Sequence, residues 1–203
     1  IVAISDMQKK DLVEKYKIAP AEKIHVVKLG FDLEKFHINR EAKRSQFRNY
    51  YSIDDNTIVI SIVGRLTAVK NHSLLIEAIK YLKEHYPNLK IKTFIVGDGE
   101  LFDNIIQSLK DSEITSCLPD GENYSADIIF TSWRKDIDVI NAGSDIIALT
   151  SINEGTPVSI IEALASQKAV ICTEVGGISD VVQDNFNGIL SSLNGKEFAC
   201  KLY

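Results

Sequence analysis

The sequence predicts an α/β fold in which helices cover both faces of a parallel β-sheet. Short runs rich in Ile and Val alternate along the chain with helix-length amphipathic segments, the order expected of βαβ units. Most of these runs show little polar alternation, as strands do when both faces of their sheet are buried. The 203 residues, 45% of them hydrophobic, suit one domain or one domain with a fragment of another.

The same alternation defines the elements. The predicted strands are 1–5, 23–28, 57–63, 90–96, 127–131, 145–150, 169–173 and 187–192. The predicted helices are 6–17, 41–51, 71–85, 99–111, 135–143, 157–167, 177–184 and one that begins near residue 195. Residues 28–40 lack periodicity and are interpreted as an interdomain linker. Residues 111–126 are polar, contain a Pro-Asp-Gly turn and are interpreted as a surface excursion.

Composition argues against several classes of protein. The net charge of −5 does not favour a nucleic-acid partner, because a phosphate-reading surface usually carries a clustered basic excess. The three cysteines, Cys117, Cys172 and Cys200, lie far apart and form no disulfide or zinc pattern, which indicates a reducing, cytoplasmic setting. No run approaches the roughly 18 apolar residues needed to cross a bilayer.

The two ends of the chain suggest a piece of a longer protein. The chain opens on a strand-like run without an initiator Met or a signal peptide, and it stops in what looks like the start of a helix. We therefore expect further sequence on both sides.

Three loops at the carboxyl ends of predicted strands carry special chemistry, and ligands of open parallel sheets bind at that edge. The first loop, at 63–72, places Gly64 at the strand exit and Arg65 and Lys70 before the next helix. Two cations beside a helix N-terminus can bind an anion such as phosphate. The alternative is that both are solvated loop cations.

The second loop contains Gly97, Asp98 and Gly99 between a strand and a helix. It is not a complete G-x-G-x-x-G dinucleotide fingerprint, because Phe102 occupies the third Gly position. A dehydrogenase is therefore poorly supported. The alternative reading is a tight turn with an acidic cap.

The third loop precedes the helix predicted at 157–167. Thr156 is predicted as its N-cap and Pro157 as its first residue. The amides of Val158 and Ser159 would then be unpaired and free to receive a phosphate oxygen or a sugar hydroxyl.

Two carboxylates flank this turn, Glu154 before it and Glu162 within the helix. A carboxylate on so apolar a helix is costly to bury without partners, and the paired hydroxyls of a ribose would satisfy both of its oxygens. Alternatively, Glu162 meets solvent or a nearby cation. Together the three loops fit a ligand with a diphosphate in the middle and hydroxyl-rich groups at both ends, which is the shape of a nucleotide-sugar.

The residues at 55–192 resemble the C-terminal, donor-binding domain of the retaining GT-B glycosyltransferases of family 4 (glycosyl transferases group 1). The family's signature is a Glu-x7-Glu spacing, which Glu154 and Glu162 reproduce. The matching segments are VGRLTAVKNHSLLIEAI, FIVGDGEL, IIFTSWRKDI, AGSDIIALTSINEGTPVSIIEALASQKAVICTEVGGISDVV and NGIL. The resemblance implies a Rossmann-like parallel sheet that forms one half of a GT-B fold.

The resemblance also implies roles for individual residues. Arg65 and Lys70 are expected to bind the donor diphosphate, Glu154 the transferred sugar and Glu162 the ribose, with Arg65, Lys70 and Glu154 as the catalytic set. The remaining expected donor-binding residues are Gly64, Gly97, Asp98, Ser132, Trp133, Gly155, Thr156, Pro157 and Val158. Ser132 and Trp133 are expected near the base, although the family often carries Gly where this chain has Ser132.

The implied domain organisation divides the chain in two. Residues 1–38 are expected to be the tail of an N-terminal acceptor domain plus the linker, and residues 39–203 a donor-binding domain truncated at its C-terminal end. The implied partners are a nucleotide-sugar and, through the other domain, an acceptor sugar or lipid-linked sugar. The resemblance allows a location at the cytoplasmic face of a membrane.

The expected activity is transfer of a sugar to an acceptor hydroxyl with retention of configuration, as in polysaccharide biosynthesis. Neither a metal nor a cofactor other than the donor substrate is expected. Two alternatives stay open. One is a nucleotide-sugar epimerase of the same architecture, and the other is a non-catalytic module that binds a nucleotide or a partner.

Overall fold

The computed structural model describes residues 1–110 and 113–203. Its main sheet has seven strands in the order β5-β6-β4-β3-β7-β8-β9, and all neighbouring strands are parallel. A separate parallel pair, β1 and β2, lies near the start of the chain. The strands are β1 (Val2–Ala3), β2 (His25–Val26), β3 (Ile58–Val63), β4 (Ile91–Val96), β5 (Ser116–Cys117), β6 (Ile128–Phe130), β7 (Ile146–Leu149), β8 (Ala169–Thr173) and β9 (Ile189–Ser191).

Helices cover both faces of the main sheet, which confirms the predicted Rossmann-like α/β fold. Helices α4, α5 and α8 pack on one face, and α3, α6 and α7 pack on the other. The helices are α1 (Asp6–Lys10), α2 (Glu34–His37), α3 (Arg40–Tyr50), α4 (His72–His85), α5 (Phe102–Lys110), α6 (Ile137–Gly143), α7 (Val158–Ala165) and α8 (Gly195–Leu202).

The near-continuous apolar strands follow from this two-sided burial. In β3, Ile60 and Ile62 face the core under α4, whereas Val59 points to the opposite core under α3 and α6. All three side chains are buried. A strand covered on both faces gains hydrophobic stabilisation from every residue, so it needs no polar alternation.

The strand order sets the place of any ligand site. β3 is the first strand of the main sheet in the sequence, β4 lies on one side of it and β7 on the other. The order therefore reverses between β3 and β7. In open α/β sheets the crevice outside the carboxyl ends of the strands at such a switch point binds ligands.

Several predicted boundaries are wrong. Residues 111–126 are not wholly an excursion, because Ser116–Cys117 forms the edge strand β5, while residues 111 and 112 lie outside the described part. The segment 177–184 forms a 3-10 helix at Gly176–Asp180 instead of an α-helix. The first two glycines of this short helix, Gly176 and Gly177, lie against the loop at Glu154.

The N-terminal predictions also need correction. The helix predicted at 6–17 consists of α1 followed by a π-helical turn at Asp11–Lys15. The predicted linker at 28–40 contains the short helix α2, whose Phe36 is buried. Burial of this one aromatic ring anchors a segment whose sequence has no helical period.

A half-buried ionic cluster ties α3 to the amino ends of β3 and β7. The Arg48 guanidinium donates to the Asp54 and Thr57 carbonyl oxygens at 2.7 Å each and lies 3.3 Å from the Asp145 carboxylate. That carboxylate also accepts the Val59 N–H at 2.8 Å and pairs with Arg44 at 2.9 Å. Burial alone would raise the pKa of Asp145, but the Val59 N–H and the two arginines outweigh it and lower the pKa.

This cluster predicts a pH dependence of stability. Because the pKa of Asp145 is lowered in the folded protein, its contribution is complete above the unfolded pKa of about 4 and is lost as the pH falls through the folded value. Asp145→Asn should reduce the free energy of unfolding at pH 7 by about 1–3 kcal/mol and flatten its decline in acid. Urea titrations from pH 7 to pH 3 measure both effects, with the exposed Asp55→Asn as the control. An acid decline in Asp145→Asn as steep as in the wild type would contradict the assignment.

Candidate functional site

The centre of the candidate site is an ion pair between the loops that follow β3 and β7. The Lys70 Nζ lies 2.5 Å from the Glu154 Oε1. The Lys70 side chain is 26% exposed and that of Glu154 is 10% exposed. The pair therefore bridges the two sides of the switch point, at its solvent boundary. Two residues that the sequence predicts as ligands of different donor groups are thus in direct contact.

Backbone and side-chain hydrogen bonds hold the two loops together. The Thr150 hydroxyl donates to the Lys70 carbonyl oxygen at 2.9 Å, and the Ile152 N–H donates to the Val69 carbonyl oxygen at 2.8 Å. Thr150 directly follows β7, and Lys70 ends a 3-10 turn at Ala68–Lys70. The position of Lys70 is therefore fixed by the neighbouring strand as well as by its own loop.

Two glycines after β8 bring a third loop against Glu154. The Gly177 N–H donates to the Glu154 carbonyl oxygen at 2.8 Å. Gly176 has a φ of +56°, and a Cβ at this position would lie 2.0 Å from the same oxygen. Sequence reasoning missed this support, although the adjacent glycines after a strand could have indicated it.

Arg65 does not join the ion pair. Its side chain is 68% exposed, and its guanidinium lies 3.9 Å from the Glu100 carboxylate. Arg65 therefore lies on the exposed side of the β3 loop, and the prediction that it shares an anion with Lys70 stays a prediction.

The start of α7 differs from the prediction. α7 begins at Val158, Pro157 takes the N-cap position with a ψ of 78°, and no side chain caps the helix. The Val158 N–H donates to the Thr156 carbonyl oxygen at 2.9 Å. Thr156 is therefore not the N-cap, and the expectation that the Val158 amide is unpaired is wrong. The reason is the non-helical ψ of Pro157, which turns the chain one residue later than predicted.

The turn before α7 leaves room for a ligand. A Cβ built on Gly155 would meet nothing within 4 Å. Gly155 and Pro157 line a cavity of about 110 Å³ that Lys28 and Phe31 of the N-terminal segment close from the other side. Glu154 and Gly155 also border a second cavity of about 160 Å³ beside Ser5. The N-terminal segment thus lies directly over the predicted cradle.

Glu162 lies one turn into α7 and is partly buried. Burial raises the pKa of its carboxyl, the Lys35 ammonium opposes this rise, and the Asp138 carboxylate adds to it. Within residues 1–110 and 113–203 no hydrogen-bond donor reaches the Glu162 carboxylate. Glu162 is therefore a half-buried carboxylate whose two oxygens accept no hydrogen bond from the described residues. Hydroxyl groups of a ligand can donate to both oxygens.

The loops after β4 and β6 also meet. The Gly97 N–H donates to the Ser132 carbonyl oxygen at 3.0 Å, and the Ser132 hydroxyl lies 3.4 Å from the Asp98 Oδ2. Gly97 packs against the Gly64 carbonyl, so the β3, β4 and β6 loops form one continuous edge. Trp133 stands outside this edge with 63% of its surface exposed.

The sequence contains one Asp-x-Asp spacing, at Asp136 and Asp138, which is a metal-binding pattern in other proteins. Asp136 pairs with Arg134 at 2.6 Å, and Asp138 pairs with Lys43 at 2.8 Å. The two carboxylates thus serve separate ion pairs in this fold.

His72, the first residue of α4, is a buried side chain that the sequence did not single out. Burial and the nearby Lys70 lower its pKa to about 4, so the imidazole is neutral at pH 7. Neither ring nitrogen has a hydrogen-bond partner among the described residues. Because the neighbouring His72 is uncharged, it adds no second positive charge to that of the Lys70 ammonium.

Among the described residues, no helix combines the length and apolar character needed to cross a membrane.

Relatives of this chain are glycosyltransferases. It is 29% identical over 196 residues to a UDP-Gal:alpha-D-GlcNAc-diphosphoundecaprenol alpha-1,3-galactosyltransferase of Escherichia coli, a match that covers 96% of this chain and 47% of that protein. It is 27% identical to a D-inositol 3-phosphate glycosyltransferase of Corynebacterium urealyticum, with 94% and 44% covered. The chain thus spans about half the length of these relatives.

Solved structures share the fold. Anabaena Alr3699/HepE, crystallised with UDP and glucose, has a TM-score of 0.81 at 22% identity, covering 98% of this chain and 51% of that one. A glycosyltransferase of Rickettsia africae has a TM-score of 0.79 at 27% identity, covering 99% and 51%. The model of the family described as glycosyl transferases group 1 matches residues 43–199. This chain belongs to the glycosyl transferases group 1 family.

Proposed function

We propose that this chain is the donor-binding domain of a GT-B glycosyltransferase and binds a nucleotide-diphosphate sugar at the carboxyl edge of the main sheet. The observation that carries the proposal is the Lys70–Glu154 ion pair across the switch point. In this family member, the pair puts a phosphate-binding cation beside a hydroxyl-binding carboxylate. In a sugar diphosphate, phosphate oxygens and sugar hydroxyl groups likewise lie side by side, at the bond that joins the sugar to the phosphate.

In the proposed complex the diphosphate lies against Lys70 and the start of α7, with Arg65 reaching in from the margin. Arg65 is exposed and its contact with Glu100 is 3.9 Å long, so the side chain can reorient at little cost. The backbone of Gly155, Thr156 and Pro157 lines a cavity beside the start of α7, and Val158 is the first residue of that helix. Positive partial charge at a helix N-terminus favours the phosphate oxygens.

The remaining site residues bind the ribose and the base of the donor. The Glu162 carboxylate accepts the ribose hydroxyls, since it is half-buried and has no donor among the described residues. Ser132, Trp133, Gly97 and Asp98 form the base end. The exposed Trp133 ring offers a stacking surface, and the Asp98–Ser132 contact braces the loop beneath it.

The proposed reaction breaks the bond between the sugar C1 and the diphosphate oxygen and forms a bond from C1 to the acceptor oxygen. The proton of the acceptor hydroxyl passes to the leaving phosphate, on the face that retains the configuration. Negative charge grows on the diphosphate as the bond breaks, and Lys70, Arg65 and the partial positive charge at the start of α7 stabilise it. No metal or separate cofactor is part of this scheme.

In the proposed whole enzyme residues 1–38 belong to the acceptor side and residues 39–203 to the donor domain. The cavities between Ser5, Lys28 and the Gly155 turn support an acceptor approaching from the N-terminal side. The name of the E. coli relative describes a lipid-linked acceptor, which supports a lipid-linked sugar and work at the cytoplasmic membrane surface. The epimerase and the non-catalytic module have no specific observation in their favour.

Calorimetry with UDP, GDP and ADP tests the proposal. We expect the chain to bind one of the three, without transferring sugar, since it spans about half the length of its relatives. Glu162→Gln should weaken that nucleotide about tenfold, because an uncharged amide replaces a hydroxyl-accepting carboxylate. Glu41→Gln, an exposed change on α3, is the matched control. If none of the three nucleotides bound, the donor-site proposal would be wrong, and the alternative of a non-catalytic module that binds a partner would be favoured.

A further inference from the structure

The two oxygens of the Glu154 carboxylate are not equivalent. Lys70 Nζ lies 2.5 Å from Oε1, and the Ser151 hydroxyl donates to the same Oε1 at 2.6 Å. Oε2 receives no hydrogen bond from the described residues. One oxygen is therefore saturated by the protein, while the other is left as an acceptor.

Ser151 is itself held rigidly. Its side chain is fully buried, and its carbonyl oxygen accepts the Thr173 hydroxyl from β8 at 2.6 Å. The preceding residue, Thr150, is equally buried and fixes the Lys70 carbonyl oxygen. Two consecutive hydroxyl residues at the end of β7 thus anchor both partners of the ion pair, Thr150 through the backbone of Lys70 and Ser151 through the carboxylate of Glu154.

We propose that Ser151 is a positioning residue that sets the rotation of the Glu154 carboxylate and so presents Oε2 to a hydroxyl of the transferred sugar. The inference rests on the proposed function, which places the sugar at Glu154. A flexible lysine alone fixes the carboxylate poorly, because an ammonium is a point charge without directional preference. The Ser151 hydroxyl comes from a buried, hydrogen-bonded strand end and supplies the direction.

The geometry separates this role from affinity for the nucleotide. Ser151 bonds Oε1 and not Lys70, so its loss leaves the cation available to the diphosphate. The loss of the Ser151 hydroxyl lets the Glu154 carboxylate rotate, so that Oε2 is no longer held in place. In the proposed complex Oε2 contacts only the sugar. The effect should therefore fall on the nucleotide-sugar and spare the free nucleoside diphosphate.

The test compares Ser151→Ala with the wild-type chain by calorimetry, using UDP, GDP and ADP and then UDP-glucose, GDP-mannose and ADP-glucose. For the base that binds, Ser151→Ala should weaken the nucleotide-sugar about tenfold and the free nucleoside diphosphate by less than about threefold. A role in folding alone would change both ligands by the same factor.

Ser144→Ala is the matched control. Ser144 is also a fully buried serine, at the opposite end of β7, where its hydroxyl lies 2.7 Å from that of Ser61. It should leave the ratio of the two dissociation constants unchanged. Ser151→Cys, nearly isosteric but a weaker donor, should shift that ratio in the same direction by a smaller factor and serves as the test if Ser151→Ala does not fold.

The outcomes separate the two proposals. Suppose that the wild type binds a nucleoside diphosphate and its nucleotide-sugar, and that the folded Ser151 variants keep the wild-type ratio of the two dissociation constants. Ser151 then has no positioning role, and the donor site stands. If the wild type binds none of the six ligands, both the donor site and the inference fall. A loss of affinity for the nucleotide-sugar alone supports both the donor site and the positioning role of Ser151.

Discussion

Replacing Lys70 by alanine in the whole enzyme is expected to lower the rate of sugar transfer by about 100- to 1000-fold, the usual cost of removing one preorganised donor from developing charge. The effect should be large here because Lys70 is the cation in contact with the switch-point carboxylate, and the neutral His72 behind it offers no substitute charge. Initial rates with saturating donor measure this loss directly.

The fold should tolerate the same change. Without Lys70 the Glu154 carboxylate keeps the Ser151 hydroxyl and part of its exposure to water, so the free energy of unfolding should fall by no more than about 2 kcal/mol. Lys80→Ala, which removes a partly exposed lysine of α4 whose ammonium donates to the Ser108 carbonyl oxygen, is the control and should retain wild-type rates. Wild-type transfer in Lys70→Ala would rule out its role at the diphosphate.

Gly97→Ala is expected to reduce the free energy of unfolding by about 3 kcal/mol or more, because it combines backbone strain with a direct clash. Gly97 has a φ of +140°, which side chains rarely permit, and a Cβ there would lie 2.0 Å from the Gly64 carbonyl oxygen. Relief requires the β3 and β4 loops to separate, and this movement would also disturb the edge that carries Asp98 and Ser132. Chemical denaturation and nucleotide binding should both report the damage.

Gly64→Ala is the matched control for this clash. Its Cβ would meet only the Lys70 side chain, at 3.7 Å, which is an ordinary contact. We expect a change in stability below about 1 kcal/mol, since the substitution neither strains the backbone nor creates a cavity. Equal destabilisation by the two variants would show that the close approach of the β3 and β4 loops is not a constraint on the fold.

The order of strands and helices could be predicted because burial on both sheet faces leaves a strong signal in apolar runs such as Ile58–Val63. The missed strand at Ser116–Cys117 is two residues long and lies at a sheet edge, where pairing with β6 and not local composition decides the structure. Phe36 illustrates the same limit, since it is buried on the short helix α2, which packs against the distant helices α6 and α7.

The acidic and basic residues of the site were visible in the sequence, but the hydrogen bonds between them were not. Glu154 and Lys70 are 84 positions apart, and only the adjacency of β3 and β7 brings them together. Ser151 gave no signal because a serine at a strand end is common. The capping error at Thr156 arose because the ψ of Pro157, which delays the start of α7, depends on the loop around it.

A crystal structure of the chain with a bound nucleotide-sugar would show directly where the donor lies. We expect the diphosphate within hydrogen-bond distance of the Lys70 Nζ, a ribose hydroxyl at the Glu162 carboxylate and a sugar hydroxyl at the Glu154 Oε2. A donor bound elsewhere, for example in the cavity lined by Tyr50, Tyr51 and Arg134, with the Lys70–Glu154 pair untouched, would contradict it.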